Sequence, residues 1–586
     1  MTQSGQRHPG PVIAGIRAAL LIQSLAACGV ASAEPDRIAV LQQAKAAIQH
    51  VIIIMQENRS FDSYFGAFPG ANGPPSGTCV PIDPTNPGQG CVAPYYDPHD
   101  VNAGGPHQNS DAQLDLDDGI SLALMDGFVT RQTNGRGTQC SKSAGTSACN
   151  SYEQGVARHD VMGYHTNADI PNYWAYAKHF VLQDQLYEGV RSWSYPSHIE
   201  LTSEWTAACK NKTQASTCYT NPEPTRPRRN GTTVFPWVNL FQLFDLHSVS
   251  WKYYVSTGIQ PDCDDDAGPC IPGGQQPGVG SEWNPPPFYS TVQQGGSSYL
   301  ALHNPAVTQF FADLQGGTLP QVSWLVPNGG NAEHPPDSIT KGMEHVTSLV
   351  NAVMQSPYWS NTAIFITWDE WGGFYDHVVP PIVDTNHTPT PVQGYGLRVP
   401  GLLISPYARS GMIDNSVLSF DSYATLIEDL FAGGARLDPV TLGNPDSRPT
   451  IRDAVKKVYF IDGTVGHVGD LLDEFNFVKP PHPPLVLSTA IPTDLAVICG
   501  ASKADNFLCT SATVQISWTP VTNGNGVPPY TYYVTRDGAP VSTCVETTKS
   551  RCTDTPGPGN HLYRIYTVDS QQTASPASAA MEADEP

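Results

Sequence analysis

Two apolar runs in this 586-residue chain each end in adjacent side chains that can bind a metal. Residues 51–55 lead into Glu57 and Asn58, and residues 363–367 lead into Asp369 and Glu370. Such runs are typical of buried parallel strands, whose carboxyl ends form the ligand crevice of open α/β sheets. Three carboxylates and one amide would then meet there, and oxygen donors of this kind suit a divalent cation. Each segment alone could instead be a helix N-cap or a turn.

The composition limits the class of protein to which this chain can belong. A chain of 586 residues is too long for one typical core, so two domains are expected. Charged residues make up only 15%, while 52 glycines and 53 prolines indicate a loop-rich, exported protein. The net charge of −23 disfavours nucleic acid as a partner, so a phosphate-bearing substrate would need a local cation to attract it.

The first 33 residues resemble an export signal. Two arginines precede an apolar stretch at residues 18–25, and residues 31–33 (ASA) offer a signal-peptidase site. Residues 25–28 (LAAC) also resemble a lipoprotein box, in which Cys28 would carry a lipid. Both alternatives export the protein, and only the second provides a possible membrane tether. No other stretch is long and apolar enough to span a bilayer.

Twelve of the 13 cysteines fall into close sequence neighbours, which supports export to an oxidising compartment. The hypothesis is local pairing, since sequence alone does not fix connectivity. Cys28 is the cysteine left over. The predicted pairs are Cys79 with Cys91, Cys140 with Cys149, Cys209 with Cys218, Cys263 with Cys270, Cys499 with Cys509, and Cys544 with Cys552.

Residues 46–476 alternate strand and helix patterns, which predicts an α/β domain with a doubly wound mixed sheet. Strands are expected at 51–55, 180–183, 322–326, 363–367 and 401–405, and helices at 345–355 and 416–431. Long Gly/Pro-rich insertions near 70–106, 130–150, 207–235 and 258–298 are expected to wall the crevice and select substrate.

The chain changes character after residue 476. Residues 477–494 contain five prolines and are predicted to form a stiff linker. Residues 495–586 contain runs that alternate like half-buried strands, and they resemble a fibronectin type III β-sandwich. This module has no obvious catalytic cluster, so a spacer or binding role is expected.

Five motifs together resemble the bacterial phosphoesterase family of phospholipases C and acid phosphatases. They are VIIIMQENRSFDSYFG from residue 51, MDGFV from 125, VMGYH from 161, AEHPP from 332 and TWDEWGGFYDHVVPP from 367. The resemblance covers most of residues 46–476. It implies a sheet related to that of alkaline phosphatases, one divalent metal ion of unknown identity, and a hydroxyl nucleophile that becomes phosphorylated.

The resemblance also implies residue roles. Glu57, Asn58, Asp369 and Glu370 would hold the metal together with Ser194, which takes the place of the nucleophile. The segment around Ser194 reads SWSYPSH from residue 192 and departs from the family pattern on both sides. Ser192 or Ser197 could therefore be the nucleophile instead.

Three histidines fall at family positions for contacts to the phosphoryl oxygens and the leaving group, namely His107, His334 and His377. Imidazole can donate to such an oxygen or protonate a departing alkoxide. Arg59 could clamp phosphate or brace a carboxylate, and it is not counted as catalytic.

The expected function is an exported metal-dependent phosphoesterase that cleaves phospholipid diesters in the manner of a phospholipase C, through a phosphoserine. A broad acid phosphatase and a non-catalytic exported binding protein are the alternatives. A sulfatase is disfavoured, because His198 stands where the Ser/Cys-x-Pro-x-Arg modification signal requires arginine.

Overall fold

A seven-stranded mixed sheet lies at the centre of the larger part of the molecule. The computed structural model describes residues 37–116, 124–134, 160–224, 234–260, 274–383, 394–448, 451–454, 457–460, 463–499, 512–522 and 524–585. The sheet has the order β3-β4-β1-β5-β6-β2-β7. Its strands are β1 (His50–Gln56), β2 (Val181–Gln183), β3 (Trp251–Val255), β4 (Val322–Val326), β5 (Thr362–Trp368), β6 (Gly401–Ile404) and β7 (Met412–Asp414).

The two apolar runs form the central pair of parallel strands. β1 and β5 run side by side from the pair His50 and Thr362 to the pair Gln56 and Trp368. β4 flanks β1 in the same direction, whereas β6 is antiparallel to both of its neighbours. The expected α/β fold with a mixed sheet is confirmed.

Helices flank these strands in the described part of the chain. Their bounds are α1 (Arg37–Ala47), α2 (Phe61–Phe65), α3 (Asn109–Asp115), α4 (Phe128–Asn134), α5 (Pro171–His179), α6 (Ser194–Ser203), α7 (Leu240–His247), α8 (Ser290–Gln294), α9 (Gly296–His303), α10 (Val307–Gly316), α11 (Gly329–Ala332), α12 (Ile339–Met354) and α13 (Phe420–Phe431).

Two predicted helices are present with shifted starts. The helix predicted from residue 345 begins at Ile339, because the hydroxyl of Ser338 caps it by accepting from the backbone N–H of Lys341. The helix predicted from residue 416 begins at Phe420, because Leu418 and Ser419 pair instead with a short strand at Leu186–Tyr187. Both helices bury the apolar face that the sequence periodicity indicated.

Residues 477–492 have no regular secondary structure, and they lie against the α/β body. The side-chain amide of Asn351 on α12 bonds both backbone groups of Leu487, at 2.8 and 3.1 Å. Asn172 on α5 donates to the carbonyl of Ser488. Leu487 and Ser488 of the predicted linker are thus attached to two helices of the α/β body.

The C-terminal part consists of two antiparallel sheets that share one apolar core, which includes Val514, Ile516, Val534 and Ile565. One sheet has the order β8-β9-β12 and the other β11-β10-β13-β14. The resemblance to a fibronectin type III module stays a prediction. The strands are β8 (Thr493–Cys499), β9 (Val514–Thr519), β10 (Thr531–Arg536), β11 (Ala539–Pro540), β12 (Arg551–Asp554), β13 (Gly559–Val568) and β14 (Met581–Glu585).

Three of the predicted disulfides are present, and they link Cys79 to Cys91, Cys209 to Cys218, and Cys544 to Cys552. The other three pairs, and Cys28 with the export signal, include residues outside the described ranges. None of the described helices is long and apolar enough to cross a membrane.

Candidate active site

The ends of β1 and β5 bring the predicted metal ligands together. The backbone N–H of Asp369 donates to the carbonyl of Gln56 at 3.0 Å, and that of Asn58 donates to Asp369 Oδ1 at 2.9 Å. Glu57, Asn58, Asp369 and Glu370 are all fully buried. The parallel register therefore places four oxygen-bearing side chains at one point of the sheet edge.

The chain turns sharply at Asn58, which has φ of 57°. Asparagine tolerates this left-handed conformation better than most residues, which fits its place in the QEN sequence. Arg59 braces the turn by donating Nη1 to the Asn58 carbonyl at 2.7 Å, while its guanidinium lies 4.7 Å from the centre of the Phe374 ring. Arg59 thus braces a backbone carbonyl, and its predicted roles as a phosphate clamp or a brace for a carboxylate stay predictions.

Ser194 is the first residue of α6 and faces the carboxylates. Its hydroxyl lies 2.9 Å from Glu57 Oε2 and 3.2 Å from Asn58 Oδ1. The first turn of a helix directs backbone N–H groups and a partial positive charge toward such a position. Ser194 is therefore placed where a nucleophilic oxygen would be stabilised.

The two alternative serines lie differently. Ser197 donates its hydroxyl to the backbone carbonyl of Asp369 at 2.5 Å. Ser192 is buried, and its backbone N–H bonds the carbonyl of Val190. The contacts of Ser194 with two predicted ligand side chains favour it as the nucleophile, although the assignment stays a prediction.

His198, one turn after Ser194, belongs to the same cluster, and sequence reasoning did not select it. Its Nε2 lies 2.9 Å from Glu57 Oε1 and its Nδ1 lies 3.2 Å from the hydroxyl of Tyr253. Ligand atoms of Glu57, His198 and Asp369 all lie within 4.8 Å of one another. The sequence did contain one indication of His198: it follows Ser194 by four residues, and this spacing puts both side chains on one face of a helix.

The hydrogen bonds of His198 fit a metal ligand. The Tyr253 hydroxyl donates to the carbonyl of Trp283 at 2.9 Å, so its oxygen accepts from Nδ1–H of His198. In the neutral ring, Nε2 then carries a lone pair beside the Glu57 carboxylate. Because two acceptors face each other there, either a cation or a second ring proton must lie between them.

His107 reaches the cluster through Asn58. The Asn58 amide Nδ2 lies 3.2 Å from His107 Nε2, and His107 Nδ1 lies 2.8 Å from the carbonyl of Gly105. With Nδ1 as the donor, Nε2 accepts from the amide, so Oδ1 of Asn58 faces Ser194. Glu370 Oε1 lies 3.7 Å from the same His107 nitrogen.

Two glycine pairs cross tightly beside His107. The backbone N–H of Gly105 donates to the carbonyl of Gly372 at 2.9 Å. A Cβ on Gly373 would lie 2.4 Å from Cα of Gly105, and one on Gly372 would lie 2.7 Å from the Asn58 carbonyl oxygen. Both Gly372 and Gly373 also have positive φ. The close approach that positions His107 and Asn58 therefore requires these glycines.

His334 follows a residue that is held rigidly. The buried carboxylate of Glu333 accepts hydrogen bonds from Tyr64, Tyr173 and Trp368, at 2.7, 2.5 and 3.2 Å. His334 Nδ1 lies 2.7 Å from the carbonyl of Pro335, and its ring centre lies 5.9 Å from that of His107. The structure thus brings two of the three predicted histidines together.

The third predicted histidine lies in a different group. His377 Nδ1 lies 2.7 Å from Asp62 Oδ2, and its Nε2 lies 3.4 Å from Asn72 Oδ1. The guanidinium of Arg398 bonds Asp62 at 2.9 Å and Asp376 at 2.9 and 3.1 Å. These contacts give His377 a place in a buried ion-pair network, and its predicted role at the leaving group stays a prediction.

The carboxylates make the site strongly negative. Burial raises the pKa of Glu188 well above its ordinary value, and the charges of Glu370 and Asp369 raise it further. Burial likewise raises the pKa of the Tyr253 hydroxyl, and the charge of Glu57 adds to that shift. A bound cation would offset this concentration of negative charge.

Six buried aromatic residues of the α/β body divide into two groups by their contacts. Trp283 lies between two histidines, with ring centres 6.3 Å from His198 and from His334, and Trp371 lies 6.3 Å from His107. The other four, which pack with one another and with Phe235 in the core, are Trp193, Tyr195, Phe288 and Tyr289.

The fold and the site define an α/β protein with a serine, carboxylates and histidines gathered at the ends of parallel strands. Residues 48–432 match the model of the Phosphoesterase family. The chain therefore belongs to the Phosphoesterase family, and it is a hydrolase that acts on phosphoric ester bonds.

Named relatives agree with this assignment. The chain is 27% identical to phospholipase C A of Mycobacterium tuberculosis (strain CDC 1551 / Oshkosh), over 74% of this chain and 78% of that protein. It is 25% identical to the non-hemolytic phospholipase C of Burkholderia pseudomallei (strain K96243), over 74% of this chain and 59% of that one.

Two solved structures are also similar. The PsFucS1 sulfatase from Pseudoalteromonas sp. has a TM-score of 0.32 and 10% identity, over 90% of this chain and 87% of that one. A protein in the alkaline phosphatase superfamily from Vibrio parahaemolyticus has a TM-score of 0.25 and 11% identity, over 93% of this chain and 91% of that one.

Proposed function

We propose that this protein is an exported, metal-dependent phosphodiesterase that cleaves phospholipids in the manner of a phospholipase C, with Ser194 as the nucleophile. The observation that carries the proposal is the Ser194 hydroxyl, which lies 2.9 Å from Glu57 and 3.2 Å from Asn58 at the start of α6. The relatives named phospholipase C, which match about three quarters of the chain, support this substrate class.

The metal site would consist of Glu57, Asn58, Asp369 and Glu370 together with the hydroxyl of Ser194. His198 adds a nitrogen donor to this set, because its Nε2 lies among the same oxygens. Carboxylate, amide and imidazole donors suit several divalent cations. When bound, such a cation lowers the pKa of the serine hydroxyl and neutralises charge on the phosphoryl group.

In the first step, the Ser194 oxygen attacks phosphorus, and the hydroxyl proton passes to Glu57 Oε2, to which it is already hydrogen-bonded. The bond from phosphorus to the glycerol oxygen breaks. His334 donates a proton from Nε2 to the departing oxygen, while the contact of Nδ1 with the Pro335 carbonyl orients the ring. The products are diacylglycerol and a serine that carries the phosphorylated head group.

In the second step, water attacks the same phosphorus atom and gives its proton to His334 Nε2. The bond from phosphorus to Ser194 Oγ breaks, and the serine oxygen recovers its proton from Glu57. His107 orients the Asn58 amide through both steps, so that Oδ1 stays toward the serine. The released product is the phosphorylated head group.

The test compares a chromogenic phosphocholine diester with a chromogenic phosphate monoester, each with and without added divalent cation. We expect cation-dependent release from the diester, with slower release from the monoester. Turnover of the monoester alone would replace this proposal by an acid phosphatase. Turnover of neither substrate would favour a non-catalytic binding protein.

The nucleophile is tested separately. Ser194→Ala is expected to lower turnover by at least about a thousandfold, because the covalent intermediate cannot form. Ser192→Ala removes a neighbouring buried hydroxyl and is the matched control, with turnover expected within about threefold of the unsubstituted protein. Near-normal turnover of Ser194→Ala would reject the assignment.

Export and domain organisation complete the proposal. Residues 1–33 would act as the export signal, or Cys28 would carry a lipid tether. The three disulfides support an oxidising compartment. The catalytic domain would span residues 46–476, with residues 477–494 as the connection to a β-sandwich at 495–586.

A further inference from the structure

Ala580, directly before the last strand of the C-terminal sheets, pairs with a segment of the α/β body that leads into the proposed active site. The backbone N–H of Ala580 donates to the carbonyl of Pro98 at 2.7 Å, and that of Asp100 donates to the carbonyl of Ala580 at 2.9 Å. Residues 97–107, here called the bridging segment, continue from this contact to Gly105 and His107. One end of the segment thus touches β14 and its immediate approach, and the other end touches Asn58.

A buried ion-pair network reinforces the contact. His99 belongs to the bridging segment and contacts two carboxylates. Its Nε2 lies 2.9 Å from Glu582 Oε2 on β14, and its Nδ1 lies 2.5 Å from Asp97 Oδ1. All three side chains are almost completely buried. Burial lowers the pKa of His99, but Asp97 and Glu582 outweigh it and raise this pKa to about 10. His99 is therefore an imidazolium that donates to one carboxylate on each side.

The network continues to the proposed metal ligands. The second oxygen of Asp97 accepts from Asn102 Nδ2 at 2.7 Å. The amide oxygen of Asn102 accepts from Arg59 Nη2 at 3.4 Å, and Arg59 Nη1 donates to the Asn58 carbonyl at 2.7 Å. Each of these side chains is buried. A continuous line of polar contacts therefore joins the C-terminal sheet to the turn that presents Asn58.

We propose that Glu582 is a positioning residue of the active site, and that the C-terminal sheet holds Asn58 and His107 in place through the bridging segment. The inference rests on the proposed function, and it assigns the C-terminal part a role beyond that of a spacer. Outer partners of this kind orient the groups that bind metal or substrate, and their loss costs about tenfold to a hundredfold in affinity or activity.

The experiment compares two substitutions that each break a histidine–carboxylate pair of the C-terminal part in the full-length protein. Glu582→Ala removes one of the two carboxylate partners of His99. Asp537→Ala removes the partner of His561, which lies 2.7 Å from Asp537 on the exposed side of the same module. The measurements are kcat and KM with the diester, affinity for Mn²⁺ by calorimetry, and the melting temperature.

We expect Glu582→Ala to lower kcat and to weaken Mn²⁺ binding, each by about tenfold, with KM unchanged because Glu582 does not touch the substrate. Asp537→Ala is expected to leave kcat, KM and Mn²⁺ affinity unchanged. Glu582→Gln retains an oxygen that can accept from His99, so it is expected to recover most of the loss. Equal kcat and Mn²⁺ affinity in Glu582→Ala and Asp537→Ala would overturn the proposal.

Two further arms keep the test decisive. If Glu582→Ala does not fold, Glu582→Gln is compared with Asp537→Ala, and a loss of about twofold to threefold in kcat and Mn²⁺ affinity that is confined to Glu582→Gln is the expected result. Equality of those two variants would again overturn the proposal. If the unsubstituted protein hydrolyses no phosphoester, the proposed function fails, and the Mn²⁺ affinities alone decide whether Glu582 positions the site.

Discussion

Two groups, each made of two buried carboxylates and one histidine, have different partners. In the first, here called the catalytic cluster, atoms of Glu57, Asp369 and His198 lie within 4.8 Å of one another. In the second, here called the arginine cluster, the same is true of Asp62, Asp376 and His377. The residue types alone therefore do not separate a metal site from a structural network.

The groups in contact with each cluster explain the difference. The guanidinium of Arg398 bonds both carboxylates of the arginine cluster. Burial lowers the pKa of Arg398, but these two carboxylates outweigh it and raise this pKa above its ordinary value. In the catalytic cluster, Glu57 contacts a serine hydroxyl and an imidazole. The fixed charge of Arg398 makes the arginine cluster a structural ion-pair network, whereas the serine and imidazole contacts of Glu57 fit the exchangeable cation that we propose for the catalytic cluster.

The largest effect is expected for Asp369→Asn in the catalytic cluster. This change removes the charge of one proposed metal ligand and keeps the size of the side chain. We expect turnover of the diester to fall by about a thousandfold and Mn²⁺ affinity to fall with it. The melting temperature should change little, because one of several crowded like charges is removed. Full activity with normal metal affinity would show that the catalytic cluster does not bind the metal.

The opposite pattern is expected for Arg398→Met in the arginine cluster. The change leaves two buried carboxylates without their cation, which costs about 3–5 kcal/mol of folding free energy. Urea unfolding measures this loss. Arg409→Met is the control, since the Arg409 guanidinium makes an exposed contact with a backbone carbonyl and its loss should cost less than about 0.5 kcal/mol. Equal stability of the two variants would remove the distinction between the clusters.

His377→Gln tests which cluster the third predicted histidine serves. Because the ring is bonded to Asp62, we expect a loss of about 1–2 kcal/mol in stability and a fall of less than tenfold in kcat. A loss of a hundredfold or more in kcat at unchanged stability would instead establish His377 at the leaving group. Steady-state kinetics and urea unfolding on one preparation distinguish the two results.

The smallest effect concerns a third network, in which the cation is a titrating histidine. The pKa of His99 is raised from 6.5 to about 10, so the stability that it contributes is fully present below pH 6.5. This contribution is lost as the pH rises through 10. The unsubstituted protein should therefore melt several degrees above His99→Gln at pH 6, and the gap should close toward pH 10. A gap that widens with pH would contradict a protonated His99.

The sequence predicted the central strands and the convergence of Glu57, Asn58, Asp369 and Glu370, because burial on both faces leaves a continuous apolar run. It did not predict His198, whose importance depends on the helix that begins at Ser194. His377 lies apart from the other two predicted histidines because it belongs to the ion-pair network of Arg398. Arg398 lies 21 residues further along the chain, so this contact is not visible as a local sequence pattern. Contacts between residues as distant as His99 and Glu582 leave no local pattern in sequence.

The role of the two glycine pairs could not be predicted from the sequence either. The sequence contains GG before His107 and GG after Trp371, and each pair alone is consistent with an ordinary turn. Only the folded chain shows that the two pairs cross at a distance that excludes side chains. The carboxylate and amide residues of this site could thus be predicted from the sequence, whereas His198 and the geometry that selects among the candidates could not.

The central claim is that Ser194 attacks phosphorus and becomes covalently modified. The most direct test is rapid acid quenching during turnover of the phosphocholine diester, followed by peptide mass spectrometry of the full-length protein. We predict a phosphocholine adduct on the oxygen of Ser194, and its absence in Ser194→Ala. An adduct on another residue, or turnover with no adduct at any quench time, would contradict the account.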